Sequence, residues 1–218
     1  MRPGMAKFRS VTRLMVGGAM AAALMVSSMA CKSSGASNSG GVSVPLVYHP
    51  TNIVEGSLSV PTGKPKIFIA PVEDTRTQPK AIGENREEST PIPVTIGSGS
   101  ASQFVHDALR DEMRKHGIDV VDDAAGADRT LSASITTFEA NEAPNYHGTI
   151  LLSVKVLDAS GKVLTERTVS GENSTWGKSA DPANYQQVLS NAMVDLIGSM
   201  MKNADFMQAL SVTAKSTV

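Results

Sequence analysis

The chain has 218 residues, with 20 basic against 21 acidic side chains and a formal charge of −1. That near-balance, with no clustered basic stretch in the folded part, excludes a nucleic-acid groove. The single cysteine excludes an intrachain disulfide, so the fold must hold by its core alone.

The first thirty residues have three parts. Arg2, Lys7, Arg9 and Arg13 form a basic head with no acid among them. Leu14 to Val26 is a continuous apolar stretch, the length of a signal h-region. As a helix it would span roughly 20 Å, short of a bilayer core of roughly 30 Å. Small residues follow in Ser27-Ser28-Met29-Ala30, and then comes Cys31. Removing residues 1–30 leaves 16 basic against 21 acidic side chains and a formal charge of −5. No later segment approaches the length of a membrane span.

The junction resembles a bacterial lipobox, in which the cysteine thiol is acylated and cleavage leaves that cysteine as the new N-terminus. Ala30 matches the small residue before the cysteine, whereas Ser28 stands where Leu or Val is usual. Ser28-x-Ala30 is also a small-x-small site for conventional cleavage, so both processing routes stay open. An acylated Cys31 carries several chains, and at about 0.8 kcal/mol per buried CH₂ such an anchor is effectively permanent. Lys32, in place of an aspartate, points to the outer membrane as destination and to a domain on its periplasmic face.

Residues 32–44 (KSSGASNSGGVSV) read as a Ser/Gly tether that cannot order itself. Residues 45–63, with three prolines among scattered apolar residues, read as a packed but irregular lead-in with one short edge strand. The domain then spans 64–210, with a frayed tail at 211–218. Lys66 to Val72 is a nearly continuous apolar run, the pattern of a covered strand. A loop rich in Pro, Gly and charge runs from Glu73 to about Gly99. Ser102 can cap a helix running to His116, with Val105, Ala108, Leu109 and Met113 on one stripe and Gly117 at C′. Ile118 to Val121 is a second strand, so a parallel crossover is expected. Three alternating strands follow, through Leu131–Ile135, Ile150–Val156 and Val163–Val169, the last two joined by a hairpin at Asp158–Gly161. A final helix starts at Asp181 (N-cap) and Pro182 (N1), with Tyr185, Val188, Leu189, Ala192, Met193, Leu196, Ile197 and Met200 on a wide apolar stripe. The order β-α-β-β-β-β-α predicts an α/β (α+β) two-layer sandwich, with two helices on one face of a mixed, mostly antiparallel sheet.

The sequence shows little chemistry. His49, His106, His116 and His147 form no metal-ligand spacing, so no metal is expected. Gly97-Ser98-Gly99-Ser100 lacks both the third glycine of a dinucleotide fingerprint and the Gly-Lys-Ser/Thr of a P-loop. No serine sits in a nucleophile elbow. No catalytic residue and no small-molecule cofactor is therefore expected. Asp74 and Arg76 follow the first strand at the sheet end where α/β folds often bind ligands, and they suit either a structural tie or a binding role. Trp176, the only tryptophan, suits either a partner anchor or a lid on one end of the core.

Several short motifs occur in order: Val72-x-Asp74-x-Arg76, Ile82-Gly83, Gly117-Ile118-x-Val120, Asn191-Ala192-Met193 and Asp205-Phe206-x-x-x-Leu210. With the leader and Cys31, this resembles the YajG-like lipoproteins over roughly residues 64–210. The family's biochemical activity is poorly defined, so the resemblance implies an address and a fold more than a reaction. Three readings follow. The first is a lipid-anchored, non-enzymatic domain contacting an envelope protein or surface. The second is an accessory subunit of an envelope export or transport assembly, and the third is a cryptic hydrolase.

Overall fold

The structure is a computed structural model, and it describes residues 40–53, 60–87 and 89–212. Cys31 and the signal-like segment lie outside them. Nine strands form one mixed sheet: β1 (Val42–Pro45), β2 (Lys66–Ile69), β3 (Glu73–Asp74), β4 (Ala81–Asn85), β5 (Ile92–Ser98), β6 (Asp119–Val121), β7 (Arg129–Glu142), β8 (Tyr146–Asp158) and β9 (Val163–Thr175). Three helices, α1 (Ala101–Lys115), α2 (Pro182–Lys202) and α3 (Ala204–Leu210), complete the described fold. The expected α/β sandwich is present, with its helices on one side of the sheet.

The long strand β7 organises the sheet. Along one edge it receives three short parallel partners in turn. Ile67–Ile69 of β2 lie against Arg129–Leu131, Glu73–Asp74 of β3 against Ser134–Ile135, and Asn85 of β4 against Glu142. Beyond β2 lies β6, and beyond β4 lie β5 and β1. Along the other edge β7 carries the antiparallel β8, which carries β9. The strands flanking α1, β2 and β6, pair in parallel as the crossover required.

Alternation drives the long strands onto the helices. Leu131, Ala133 and Ile135 are buried, and after an irregularity at Thr136 the inward set becomes Phe138, Ala140 and Glu142. One extra residue reverses the parity of the inward face. From β8, Tyr146, Ile150, Leu152, Val154 and Val156 point to the same core. On the helix side they meet Leu109 and Met113 of α1 and the stripe of α2. Phe104 links the layers, edge to face with Phe138 at 5.5 Å and with Tyr48 at 5.7 Å.

Helix α2 crosses β8 and β9 at backbone distance. A Cβ on Gly171 would lie 2.1 Å from the Ala192 carbonyl oxygen, and one on Gly148 2.8 Å from that of Val188. Only glycine permits this approach. The same helix caps part of the unpaired β9 edge, where Asp195 Oδ2 accepts from the Glu172 amide at 3.1 Å.

Several expected boundaries change. The tether was drawn to residue 44, but Val42 and Val44 are buried in β1, which pairs in parallel with β5. The lead-in is fastened to α2, because Asn191 Oδ1 accepts from the Thr51 and Asn52 amides at 2.9 and 3.0 Å. The fold thus begins before residue 64. The segment read as a loop from Glu73 to Gly99 contains β3, β4 and β5: β3 lies against the distant β7, β4 pairs antiparallel with β5 and meets β7 at Asn85, and β5 lies against the distant β1. The first helix is capped by Ser100, whose Oγ accepts from the Gln103 amide at 3.1 Å, with Ser102 already inside the first turn. At the C-terminus, Ser211 and Val212 are bonded to Arg129 and Thr62, and the rest of the tail lies outside the described residues.

Candidate functional site

Asp74 and Arg76 come together as an ion pair with 13% and 9% of their side chains exposed. A guanidinium has five N–H donors. Arg76 Nε donates to Asp74 Oδ1 at 2.8 Å. One terminal nitrogen donates to Asp74 Oδ2 at 2.7 Å and to the Pro79 carbonyl at 2.8 Å, and the other to the carbonyls of Ala81 and Phe138, both at 3.0 Å. The group also lies 5.4 Å from the Phe138 ring centre. All five donors are engaged within the protein, so none is left for a ligand. The segment between β3 and β4 is clamped to the sheet by this side chain. Burial pushes the Asp74 carboxyl up, but the hydrogen bonds and charge of Arg76 together outweigh it and hold it below the usual carboxylate range.

A second arrangement lies at one end of the sheet. The pairings place the start of β1, the β4–β5 turn, the β7–β8 turn and the end of β9 at that same end: Val42 is opposite Val94, Asn85 is opposite both Ile92 and Glu142, and Tyr146 is opposite both Glu142 and Thr175. Here the Glu142 carboxylate is 1% exposed. It accepts from the Tyr185 hydroxyl at 2.6 Å, from Asn85 Nδ2 at 2.8 Å and from the Ala180 amide at 3.1 Å. A buried carboxylate needs such donors when no cation faces it. Tyr146 stacks edge-on against Tyr185 at 4.7 Å, donates to the Lys178 carbonyl and accepts from the Asp181 amide at 3.1 Å. Burial, together with Glu142, pushes the Tyr185 hydroxyl well above the usual tyrosine range.

These bonds fix the loop between β9 and α2, and that loop carries Trp176. The indole is 75% exposed, so Trp176 does not cover the core. Its neighbour Gly177 packs against the Asn184 side chain so closely that a Cβ would lie 2.1 Å away. The exposed indole thus stands on a loop held in place by hydrogen bonds at Ala180 and Asp181.

The histidines do not assemble. His147 Nδ1 lies 2.7 Å from Ser174 Oγ, an exposed cross-strand pair on the open face of the sheet. That pair sits on a flat strand surface, with no acid hydrogen-bonded to the ring. The buried His116 Nε2 lacks a hydrogen-bond partner and lies 3.9 Å from Glu112 Oε2. Among the described residues, no group of three His, Cys, Asp or Glu side chains is placed to hold a metal.

Sequence reasoning missed Glu142 and Asn85 and placed Tyr185 only in an apolar stripe. The usable signal was the alternation Phe138, Ala140, Glu142, which aims the carboxylate inward. It was obscured because the set is out of phase with Leu131, Ala133 and Ile135.

No family model matches the chain. No curated protein matches it either. Among solved structures, it is similar to a Xanthomonas campestris protein described as DUF330 (17% identity, TM-score 0.48, covering 73% of this chain and 93% of that one). It is also similar to PelC from Paraburkholderia phytofirmans, described as a dodecamer (13%, 0.44, 72% and 95%). A third is a candidate lipoprotein from Caulobacter crescentus (15%, 0.41, 59% and 89%).

Proposed function

We propose that this chain is a lipid-anchored envelope protein whose domain works without catalysis, by contact with an envelope protein or surface. The observation that carries the reading is the position of the only cysteine, Cys31, directly after a basic head, an apolar segment and a small residue. The finer assignment is the periplasmic face of the outer membrane, supported by Lys32. The exposed Trp176 on its bonded loop supports a contact role.

The deciding experiment labels growing cells with palmitate and follows the chain and its Cys31→Ser variant. Label on the parent and none on the variant is expected, with the parent in the outer-membrane fraction. Equal label on both would overturn the anchor, and a parent found in the soluble fraction would do the same. Crosslinking in intact cells then separates a contact domain from a stable subunit of an export or transport assembly.

A further inference from the structure

The end of the sheet that carries Trp176 is also the end at which the chain arrives from Cys31. Gly40, Gly41 and the start of β1 lie there by register, and the β9–α2 loop returns across it. Between them runs a groove of about 870 Å³ bordered by Gly40, Val42, Pro91, Pro93, Ala180 and Pro182. The border is mainly proline, glycine and aliphatic carbon, and the exposed indole stands on the same loop as Ala180. The charged groups near this end are net acidic: Arg86 pairs with Glu84 at 3.1 Å, Lys178 stands with Glu87 and the helix-capping Asp181, and the Glu142 carboxylate is buried.

Covalent geometry sets the second constraint. Nine residue steps separate Cys31 from Gly40, a reach of at most about 30 Å when fully extended. A domain held that closely by acyl chains presents its tether-side end to the bilayer more often than any other. Tryptophan suits that boundary, because its ring is apolar while its N–H can remain hydrated.

We propose that this end is a membrane-docking face, with Trp176 entering the interface of the phospholipid surface that holds the lipid anchor and the proline-edged groove lying against it. The proposal rests on the lipid-anchor reading above. Its occupant is the bilayer itself. Because the described charges at this end are net acidic, docking depends on apolar insertion and not on anionic lipid.

The single tryptophan makes the test direct. The acylated full-length mature protein is reconstituted in phosphatidylcholine vesicles, with and without bromine on the acyl chains. Co-flotation with the vesicles reports the anchor; quenching and a blue shift of the Trp176 emission report docking. Flotation with strong quenching is the expected result. A Trp176→Phe/Leu164→Trp variant moves the probe to the opposite end of β9, where Leu164 is 40% exposed, and should float without quenching. Should that variant fail to fold, acrylamide shielding of Trp176 in the parent on vesicles gives the same answer. Flotation with an unquenched, acrylamide-accessible Trp176 overturns docking while leaving the anchor intact. Failure to float overturns the anchor. Shielding in whole envelopes but not on protein-free vesicles assigns Trp176 to a protein partner and overturns the lipid assignment.

Discussion

The Tyr185 hydroxyl donates to Oε2 of the buried Glu142 carboxylate across 2.6 Å, joining the first turn of α2 to the last residue of β7. With Asn85 and the Ala180 amide completing the carboxylate's partners, this contact decides where the Trp176 loop sits.

Tyr185→Phe should therefore lower stability by about 1.5–3 kcal/mol, the usual worth of a hydrogen bond to a charged group. Glu142→Ala should cost more, because it strands three donors in the interior. Denaturant unfolding measures both. The Trp176 emission should change before global unfolding in either variant, and a loop that stayed native-like in Glu142→Ala would contradict the role given to the carboxylate.

Arg76→Ala leaves Asp74 and three backbone carbonyls without their donor, at a cost of roughly 3 kcal/mol or more. Arg76→Lys should recover little of this, since an ammonium cannot reproduce five donors in a planar fork. Asp74 has a lowered folded pKa, so its contribution is present above its ordinary value of 3.8 and lost as pH falls through the lower folded value. Acid unfolding of Asp74→Asn should accordingly be less steep below pH 3.8 than that of the parent.

Gly171→Ala should destabilise by about 1–3 kcal/mol or more, because the new methyl meets α2 backbone at 2.1 and 2.5 Å. Gly148→Ala, with its nearest atoms at 2.8 Å, should cost less. Gly126→Ala, with nothing within 4 Å, should be close to neutral. Thermal melts of the three variants rank them, and any other order would place α2 differently over the sheet.

All three tyrosines of the chain, Tyr48, Tyr146 and Tyr185, are pushed above their ordinary value of 10.0, chiefly by burial. Each favours its neutral form in the fold, so its contribution is intact below pH 10.0 and declines as pH rises from there towards the folded values. Ultraviolet titration of folded protein should show no tyrosinate step near pH 10, whereas protein in denaturant should show all three. A separate phenolate step before unfolding would contradict the buried placements.

Asn191→Ala removes the acceptor shared by the Thr51 and Asn52 amides and frees the lead-in from α2. Faster proteolytic nicking near residues 51–53 is expected, with a smaller loss of global stability of about 1 kcal/mol. Nicking at the parent's rate would show that β1 alone holds the segment.

Some of this fold could be read because its causes are local. Asp181 and Pro182 start α2 because a side-chain acceptor and a fixed φ act on the next two residues. Gly117, at φ +78°, ends α1 for the same kind of reason. The alternation of β8 persists without interruption and announces its buried face. The lipid anchor proposed at Cys31 likewise rests on sequence alone, because signal processing in general reads a linear leader and not a fold. Tertiary structure decided the rest. Strand β3 is two residues long, β4 has one buried aliphatic side chain and β5 carries Pro93, and β7 and β1 offer them partners across long stretches of chain. The extra residue at Thr136 turns the second half of β7 over, and only the register with β8 reveals that Glu142 points inward. Arg76 could have been a ligand-binding cation until its five donors found Asp74 and the carbonyls of Pro79, Ala81 and Phe138. Asp74, Pro79 and Ala81 lie within five residues of Arg76, but Phe138 is 62 residues away, and only the folded chain brings all four within hydrogen-bond range at once.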